Sequence, residues 1–405
     1  MMRRSWLSFP EYFDRDLKLL LCSMSVRRIS MGFLQVVRAI YFAQLGFSPI
    51  EIGLLLSLAT FVSAVHHITF GMLSDKFGRK PFLILGGIFA TVRMIIFAVS
   101  SDFWMLALGQ GLGAMGEGAG AGQPVVSGYI ADKTSMERRS SIFTALAVSN
   151  GLAATVGSLM AGFPAYFQSA LGIDMIGAHS LLFWIGAIGD VASILFILPL
   201  KDVKHVKIVQ AKKKRNPLKT KNWGVIARFS LIRSTSGVGF GFIESLLSLY
   251  FYTQFEVDGE ILGPIFAAAR FISVFSYIFV PIVVNRFGAV KILVISRIVS
   301  AILTVLFSLA TSFPLAICLV IAFRVVMMFS MPIRQSFATG LVDPNETATA
   351  IGISNSARMG LRTVAPTITG YMFENISLTM PFFAGASLLI VNGMLFRSFF
   401  KSKKT

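Results

Sequence analysis

The chain of 405 residues is too apolar to be a soluble globular protein. Hydrophobic residues make up 55% of it and charged residues only 14%, with a mean hydropathy of +0.74, whereas a soluble domain carries about 25% charged residues. The net charge of +18 comes from basic residues in short polar gaps. This excludes the basic face of a nucleic-acid-binding domain. The composition predicts an all-α polytopic membrane protein.

Apolar runs of about 20 residues, each long enough to cross a bilayer, predict twelve transmembrane helices. Cys22 and Cys318 lie inside such runs and are expected to be buried thiols, because they lack the paired spacings of disulfide frameworks and zinc sites. The predicted spans are residues 18–46, 50–74, 81–100, 103–131, 138–166, 179–200, 222–254, 260–284, 290–310, 313–340, 347–372 and 379–398.

The loops between the predicted spans alternate in charge. One set is rich in Lys and Arg, above all residues 201–221, whereas the intervening loops contain neither residue type. Positively charged loops stay in the cytoplasm, so the basic loops and both chain ends are predicted to be cytoplasmic. The basic linker 201–221 separates a predicted six-helix bundle over residues 1–200 from a second one over residues 222–405.

The two halves repeat each other at a nearly constant offset. The segment Gly71–Lys80, after the second span, is matched by residues 281–290, after the eighth. Halves repeated in the same orientation are one plan of transporters, in which a central site lies between two bundles. The repeat therefore favours solute transport. The other matched pairs are Gln44 with Gln254, Gly53 with Gly263, Gly157 with Ala365, and Gly162 with Gly370.

The segment between the second and third spans carries a specific signature. The pattern G-x-x-x-D-[RK]-x-G-R-[RK] is satisfied by Gly71, Asp75, Lys76, Gly78, Arg79 and Lys80. With its twelve spans, basic linker and degraded second copy, the chain resembles the major facilitator superfamily over essentially its whole length. The resemblance implies two pseudo-symmetric six-helix bundles around a central cavity, alternating access, and a cytoplasmic gate formed by this segment.

Charged residues inside the spans are candidates for substrate binding and proton coupling, because they are costly in lipid. Arg38 lies in the first span, and Glu117 lies among glycines of the fourth. Protonation of Glu117 would free Arg38 to hold an anion. This pair resembles the proton-coupled organic-anion (anion:cation symporter) and spinster branches of the superfamily. Glu244 in the seventh span is a second candidate proton carrier. The alternatives are structural ion pairs, or residues that do not meet.

The fifth span contains small residues at regular spacing, including Gly157 and Gly162. They resemble a degraded form of G-x-x-x-G-P-x-x-G-G, the signature of the superfamily's drug/proton antiporters. The eleventh span carries a related pattern with Pro366 and Gly370. The other interpretation is close helix packing, which small residues also permit.

The sequence favours a secondary active transporter that moves a small organic anion and is coupled to protons, since arginines are in excess within the spans. Two alternatives stay open: a proton-driven multidrug antiporter that expels amphiphiles, and a non-transporting receptor or lipid-handling protein on the same fold. The sequence shows no phosphate-binding loop and no cluster of metal ligands, so we expect neither an enzyme nor a cofactor. We expect a monomer in the plasma membrane, with the bilayer, protons and a small solute as partners and no nucleic acid.

Overall fold

The computed structural model describes residues 14–117, 124–202, 223–339 and 347–400. All regular secondary structure in these ranges is helical and forms twelve consecutive spans. The predicted linker 201–221 lies almost wholly outside the described residues. Seven spans are single helices, namely the first (Arg15–Gln44), second (Pro49–Phe77), third (Arg79–Val99), sixth (Met175–Ile197), ninth (Ala289–Ser308), tenth (Phe313–Thr339) and twelfth (Met380–Phe399).

The other five spans consist of consecutive segments. Pro164, Pro281 and Pro366 each lie at the start of a later segment, because proline lacks the amide hydrogen that a helix interior needs. The segments are Phe103–Glu117 and Pro124–Lys133 in the fourth span; Met136–Leu159, the 3-10 turn Met160–Gly162 and Phe163–Leu171 in the fifth; Trp223–Glu244 and Leu247–Phe255 in the seventh; Gly259–Ser276, the 3-10 turn Tyr277–Phe279 and Val280–Phe287 in the eighth; and Thr347–Arg362 and Ala365–Asn375 in the eleventh.

Among the described residues, eight spans are long and apolar enough by themselves to cross a membrane. They are the seven single helices and the fifth span. In the fourth, seventh, eighth and eleventh spans, no single described helix is both long enough and apolar enough to cross a membrane. The predicted twelve-helix architecture is confirmed, with most boundaries within a few residues of the predicted ones.

The backbone repeats itself at the offset seen in the sequence. Gly78 and Gly288 occupy matching positions in the two halves and have φ angles of 95° and 79°, and the matching residues Gly46 and Glu256 have φ angles of 88° and 54°. We call the face with the turns at Gly78 and Gly288, which also carries both described chain ends, the terminal face. The opposite face, with the turns at Gly46 and Glu256, is the far face.

Cys22 and Cys318 are exposed, so the expectation of buried thiols is wrong. Both lie in membrane spans, where an exposed side chain need not meet water. Lipid tails are as apolar as a protein core, and an apolar thiol therefore gains little from burial inside the protein.

Candidate functional site

The two halves meet in two symmetry-related helix contacts near the far face. The second span packs against the eleventh, and the eighth packs against the fifth. A Cβ added at Gly53 would lie 2.5 Å from the carbonyl oxygen of Pro366, and one at Gly263 would lie 2.5 Å from that of Ser158. Both contacts therefore need glycine. We call this pair of contacts the far seam.

The small residues predicted as a packing motif lie at or beside the far seam. A Cβ at Gly162 would lie 3.3 Å from the Cα of Glu260 in the eighth span, and one at Gly370 would overlap the backbone of the second span. Pro366 supplies the carbonyl that meets Gly53. Gly157 instead packs the fifth span onto the first, within one half. Most of the motif thus joins the halves on the far side.

Hydrogen bonds reinforce the far seam. Ser57 accepts hydrogen bonds from the amide and the hydroxyl of Thr367 at 3.1 and 2.7 Å. Gln44 donates to Asp258 at 3.2 Å, which ties the first span to the turn before the eighth. Burial raises the pKa of Asp258 from its ordinary value, the hydrogen bond from Gln44 opposes this, and the charge of Glu260 adds to it.

A group of polar and charged residues lies deeper, between the two halves. Arg270 donates to Gln35 at 2.5 Å, and Arg324 pairs with Glu244 at 3.5 Å. Glu244, Arg270 and Arg324 each lie about three helical turns from the far end of their spans. At a pitch of about 5.4 Å per turn they are roughly 16 Å deep, about the middle of a 30 Å hydrocarbon layer. We call Gln35, Glu244, Arg270 and Arg324 the central cluster.

The central cluster lies in a region with an excess of positive charge. The charges of Arg28 and Arg324 repel Arg270, while Glu244 attracts both Arg270 and Arg362. Within this interacting group of described residues, Glu244 interacts with three guanidinium groups, those of Arg270, Arg324 and Arg362. Guanidinium groups bind planar carboxylates and other oxyanions with two parallel hydrogen bonds, so the arrangement suits an anionic ligand.

The exposure of Gln35 indicates a cavity beside the central cluster. Gln35 is exposed, although its neighbours Leu34 and Val36 are buried, and its partner Arg270 belongs to the other half. The exposed surface therefore lies between the halves. Because the far seam closes the far side, we infer that this cavity opens toward the terminal face.

An aromatic ring completes the central cluster. The guanidinium carbon of Arg324 lies 4.2 Å from the centroid of the Phe266 ring, a cation–π distance. The side chains of Arg324 and Glu244 are only 14% and 19% exposed. Their ion pair is therefore mostly, but not fully, buried.

The residues predicted to bind substrate are placed as follows. Glu244 belongs to the central cluster. Arg38 donates to Gln110 of the fourth span at 3.2 Å. Glu117 is the last described residue of that helix, and its side chain lies outside the described residues. It follows Gln110 by about two helical turns, which is about 10 Å along the helix axis.

The glycines before Glu117 make room for the third span. A Cβ at Gly113 would overlap the side chain of Arg93, and one at Gly116 would lie 2.6 Å from the carbonyl oxygen of Gly86. Arg93 is nearly fully buried, at 1% exposure. In this part of the fourth span, small residues therefore serve helix packing inside the first half.

The predicted gate segment makes its contacts within the first half. Arg79 pairs with Asp75, donates to Ser74 at 2.7 Å and lies 3.3 Å from Asp132 in the fourth span. Its amide donates to Asp202, after the sixth span, at 3.2 Å. The segment therefore ties the second, fourth and sixth spans together on the terminal face. The other signature residues are Gly71, Lys76, Gly78 and Lys80. The amine of Lys76 lies over the ring of Phe77, and Gly78 has a positive φ, which favours glycine.

Sequence reasoning counted Arg270 and Arg324 among the charged residues inside the spans without assigning either a role, and it gave no role to Gln35 or Phe266. Arg270 and Arg324 share a signal that could have found them, because each lies about three helical turns after the far-face start of its span and so reaches the bilayer midplane. Gln35 and Phe266 carry no such signal, since an uncharged residue in a span is common. Among the described residues, no three His, Cys, Asp or Glu side chains form a metal site.

The fold and the central cavity define the chain as a membrane transporter with two six-helix halves. Residues 20–366 match the family model described as Major Facilitator Superfamily. Because the match covers most of the chain, the protein belongs to the Major Facilitator Superfamily. The resemblance stated from the sequence is confirmed.

Similar proteins cover nearly the whole chain. The quinolone resistance protein NorA of Staphylococcus aureus (strain MRSA252) is 26% identical over an alignment of 364 positions, which covers 85% of this chain and 87% of NorA. An uncharacterized membrane protein of Saccharomyces cerevisiae, YJR124C, is 21% identical over an alignment of 433 positions, which covers 96% of each chain. A bacterial homologue of the human lysosomal transporter Spinster, solved in an inward-facing and occupied conformation, has a TM-score of 0.77 at 16% identity and covers 98% of this chain and 100% of that one.

Proposed function

We propose that the protein is a secondary active transporter that moves a small organic anion by alternating access and couples its movement to protons. The observation that supports the proposal is the central cluster, where guanidinium groups outnumber carboxylates at mid-depth between the halves. Arg270 and Arg324 bind the anion, and Glu244 carries the proton. The pair that the sequence favours, Arg38 and Glu117, stays a prediction, and the experiment below includes it.

The Glu244–Arg324 ion pair supplies a coupling mechanism. While Glu244 is ionised, it occupies the guanidinium of Arg324 and competes with an incoming anion. Protonation of Glu244 releases Arg324, so the anion binds best to the protonated protein. Anion and proton are therefore carried in the same direction, and anion affinity rises as pH falls.

The charged loops orient the transporter. The terminal face carries the basic loops and both chain ends, and it is cytoplasmic by the positive-inside rule. The structure, closed at the far seam, then faces the cytoplasm. We propose a monomer in the plasma membrane, since each chain contains both halves of the cavity.

A ligand-induced thermal shift on the purified full-length protein tests the proposal, because a ligand that binds only the folded state stabilises it by mass action. Benzenesulfonate is the anionic probe, since it stays ionised at both pH 5.5 and pH 7.5. We expect it to raise Tm more at pH 5.5. Arg270→Gln should abolish the shift, and Glu244→Gln should keep it at both pH values. The matched control is Arg286→Gln, an exposed arginine on the terminal face.

The same measurement separates the two candidate pairs. If Arg38→Ala abolishes the shift and Glu117→Gln removes its pH dependence, while the Arg270 and Glu244 variants behave as wild type, the anion site is the pair favoured by the sequence. If benzenesulfonate and citrate shift none of the proteins, the organic-anion proposal is wrong.

A second candidate function is export of amphiphilic drugs, which the similarity to NorA over 85% of the chain favours. In that function Glu244 would bind a lipophilic cation beside the Phe266 ring. Tetraphenylphosphonium distinguishes the two functions in the same assay. A shift that is lost in Glu244→Gln and kept in Arg270→Gln would support drug export.

A further inference from the structure

A second group of arginines lies inside the second half, apart from the central cluster. Arg233, Arg297, Arg334 and Arg358 come from the seventh, ninth, tenth and eleventh spans and line one cavity of about 80 Å³. Each lies no more than about three helical turns from the terminal end of its helix, so the cavity is in the terminal half of the bundle. We call it the arginine cavity.

The residues that line the arginine cavity include no carboxylate. Among the described residues, these four arginines form no ion pair, and the charges of the other three all act on Arg334. Arg297 has an exposure of 0% and donates to the sulfur of Met327 at 3.0 Å. Since an isolated buried charge is very costly unless it is paired, this group needs an anion.

Several nitrogen atoms around the arginine cavity have no hydrogen-bond partner. They are buried donors, and a buried donor left unsatisfied costs its full desolvation penalty. Arg233 uses another nitrogen to bond the side-chain oxygen of Asn355 at 2.5 Å, which holds its guanidinium in place. The unsatisfied atoms are Nε of Arg233, Nε and Nη2 of Arg297, and Nε of Arg358.

In the first half, a buried carboxylate supplies the opposite charge that buried arginines need. Arg27 and Arg93 are buried there, and the buried Asp190 of the sixth span acts on both as an opposite charge. Asp190 lies about two helical turns from the terminal end of the sixth span. At the same depth of the twelfth span, its counterpart in the repeat, stands Asn392, which is buried and uncharged. The second half therefore lacks this counter-ion.

We propose that the arginine cavity binds one small oxyanion, either free phosphate or sulfate or the phosphate of a lipid headgroup. The bound oxyanion takes the place that Asp190 has in the first half, bridges the seventh, ninth, tenth and eleventh spans, and stabilises the second half as a unit. A water molecule needs about 10–15 Å³ of such space, so the cavity has room for a tetrahedral oxyanion. This site is independent of the central cluster and of the proposed transport function.

Thermal unfolding of the purified full-length protein in phosphate-free buffer tests this site. Sodium phosphate should raise Tm in a saturable way, whereas sodium chloride at equal ionic strength should not. Arg334→Gln should remove the phosphate response. The same variant should also raise Tm in the absence of phosphate, because it removes the charge on which the other three arginines act. A purely structural arginine predicts the opposite sign, a lower Tm without phosphate.

One variant of each site acts as a control for the other site. Arg270→Gln, in the central cluster, should keep the phosphate response of the wild type, and Arg334→Gln should keep the benzenesulfonate response. Failure of one proposal therefore leaves the other testable. Arg358→Lys keeps the charge but loses the planar fork of donors, and we expect it to raise the half-saturating phosphate concentration at least tenfold.

A short-chain phosphatidate identifies the source of the oxyanion. Stabilisation by inorganic phosphate supports a free oxyanion, and stabilisation by dihexanoyl phosphatidate alone supports a lipid headgroup. Any of three results would contradict the proposed oxyanion site. Neither phosphate nor the phosphatidate stabilises the wild type, Arg334→Gln responds to phosphate as the wild type does, or Arg358→Lys leaves the half-saturating phosphate concentration unchanged.

Discussion

Asp258 is a titratable residue that lies at the contact between the halves and outside the spans. It precedes the eighth span and accepts a hydrogen bond from Gln44 of the first half. Burial, together with the charge of Glu260, raises its pKa above 3.8. A solvated aspartate in an opened far face has the ordinary pKa, so the closed form binds the proton more tightly. Lowering the pH toward the raised pKa therefore favours closure of the far seam.

Asp258→Asn should hold the far seam closed and make its opening independent of pH. The amide keeps the size of the side chain and removes the cost of a half-buried carboxylate. The measurement is the rate of maleimide labelling of Ser57→Cys in a protein that also carries Cys22→Ser and Cys318→Ser. The rate is corrected for the change with pH in the thiolate fraction of the introduced cysteine. With Asp258 present, labelling should fall as the pH is lowered from 7.5 toward the raised pKa of this residue. The control is Glu256→Gln, an exposed carboxylate on the same turn, and an equal fall in Asp258→Asn would contradict the prediction.

At the scale of elements, the segmented spans and the far seam coincide. The fifth span changes helix type at Met160–Gly162, beside its contact with Gly263, and the eleventh span is interrupted immediately before Ala365 and Pro366, beside Gly53. The repeat thus places a helix break at each of the two contacts. Such breaks let the far-side segment change its angle without unfolding the rest of the span.

Gly53→Ala and Gly263→Ala should each open the far seam. An added Cβ would lie 2.5 Å from a backbone carbonyl oxygen of the other half in both cases, closer than such atoms can approach, so the halves must separate. We expect faster maleimide labelling of Ser57→Cys, by several-fold. Gly111→Ala is the matched control, because a Cβ there meets nothing within 4 Å. If both seam variants are labelled as slowly as the protein that keeps Gly53 and Gly263, the contact between the halves accommodates the added Cβ without opening.

At the scale of the molecule, the hydrogen bonds that we place between the halves lie between the far face and the central cluster. The gate segment on the terminal face instead contacts its own half through Arg79. In the alternating access that we propose, the far seam separates and the gate segment engages the second half. Closure at one face and opening at the other are coupled because each half is a packed six-helix unit.

A reversible crosslink across the far seam should stop transport. The hydroxyl oxygens of Ser57 and Thr367 lie 2.7 Å apart, so cysteines at both positions can form a disulfide of about 2.05 Å. Oxidation should abolish benzenesulfonate exchange in proteoliposomes, and reduction should restore it. The control pair is Ser25→Cys with Ser149→Cys, whose hydroxyl groups also contact each other but belong to one half. Exchange that survives the seam crosslink would exclude rocking of the halves.

The candidate site was only partly predictable. Glu244 stands out in the sequence as an acid within an apolar run, because burial of a carboxylate in lipid is costly wherever it occurs. Its partner Arg324 lies in the tenth span, and no local pattern connects the two. For Arg38 the sequence favoured Glu117, whose side chain lies outside the described residues, and Arg38 donates to Gln110, which lies in the same span as Glu117. The rotation of each helix about its axis decides such pairs.

The sequence by itself determined the class of protein, the twelve spans and the repeat of the halves. Crossing a bilayer is a local requirement, met by about 20 apolar residues in a row, and a turn such as the one at Gly78 depends on one residue's φ. Only the tertiary structure decided which face is closed and which charges meet. Contacts such as those of Arg270 with Gln35 and of Gly53 with Pro366 join distant parts of the chain. They depend on how two helix bundles pack, which no single span contains.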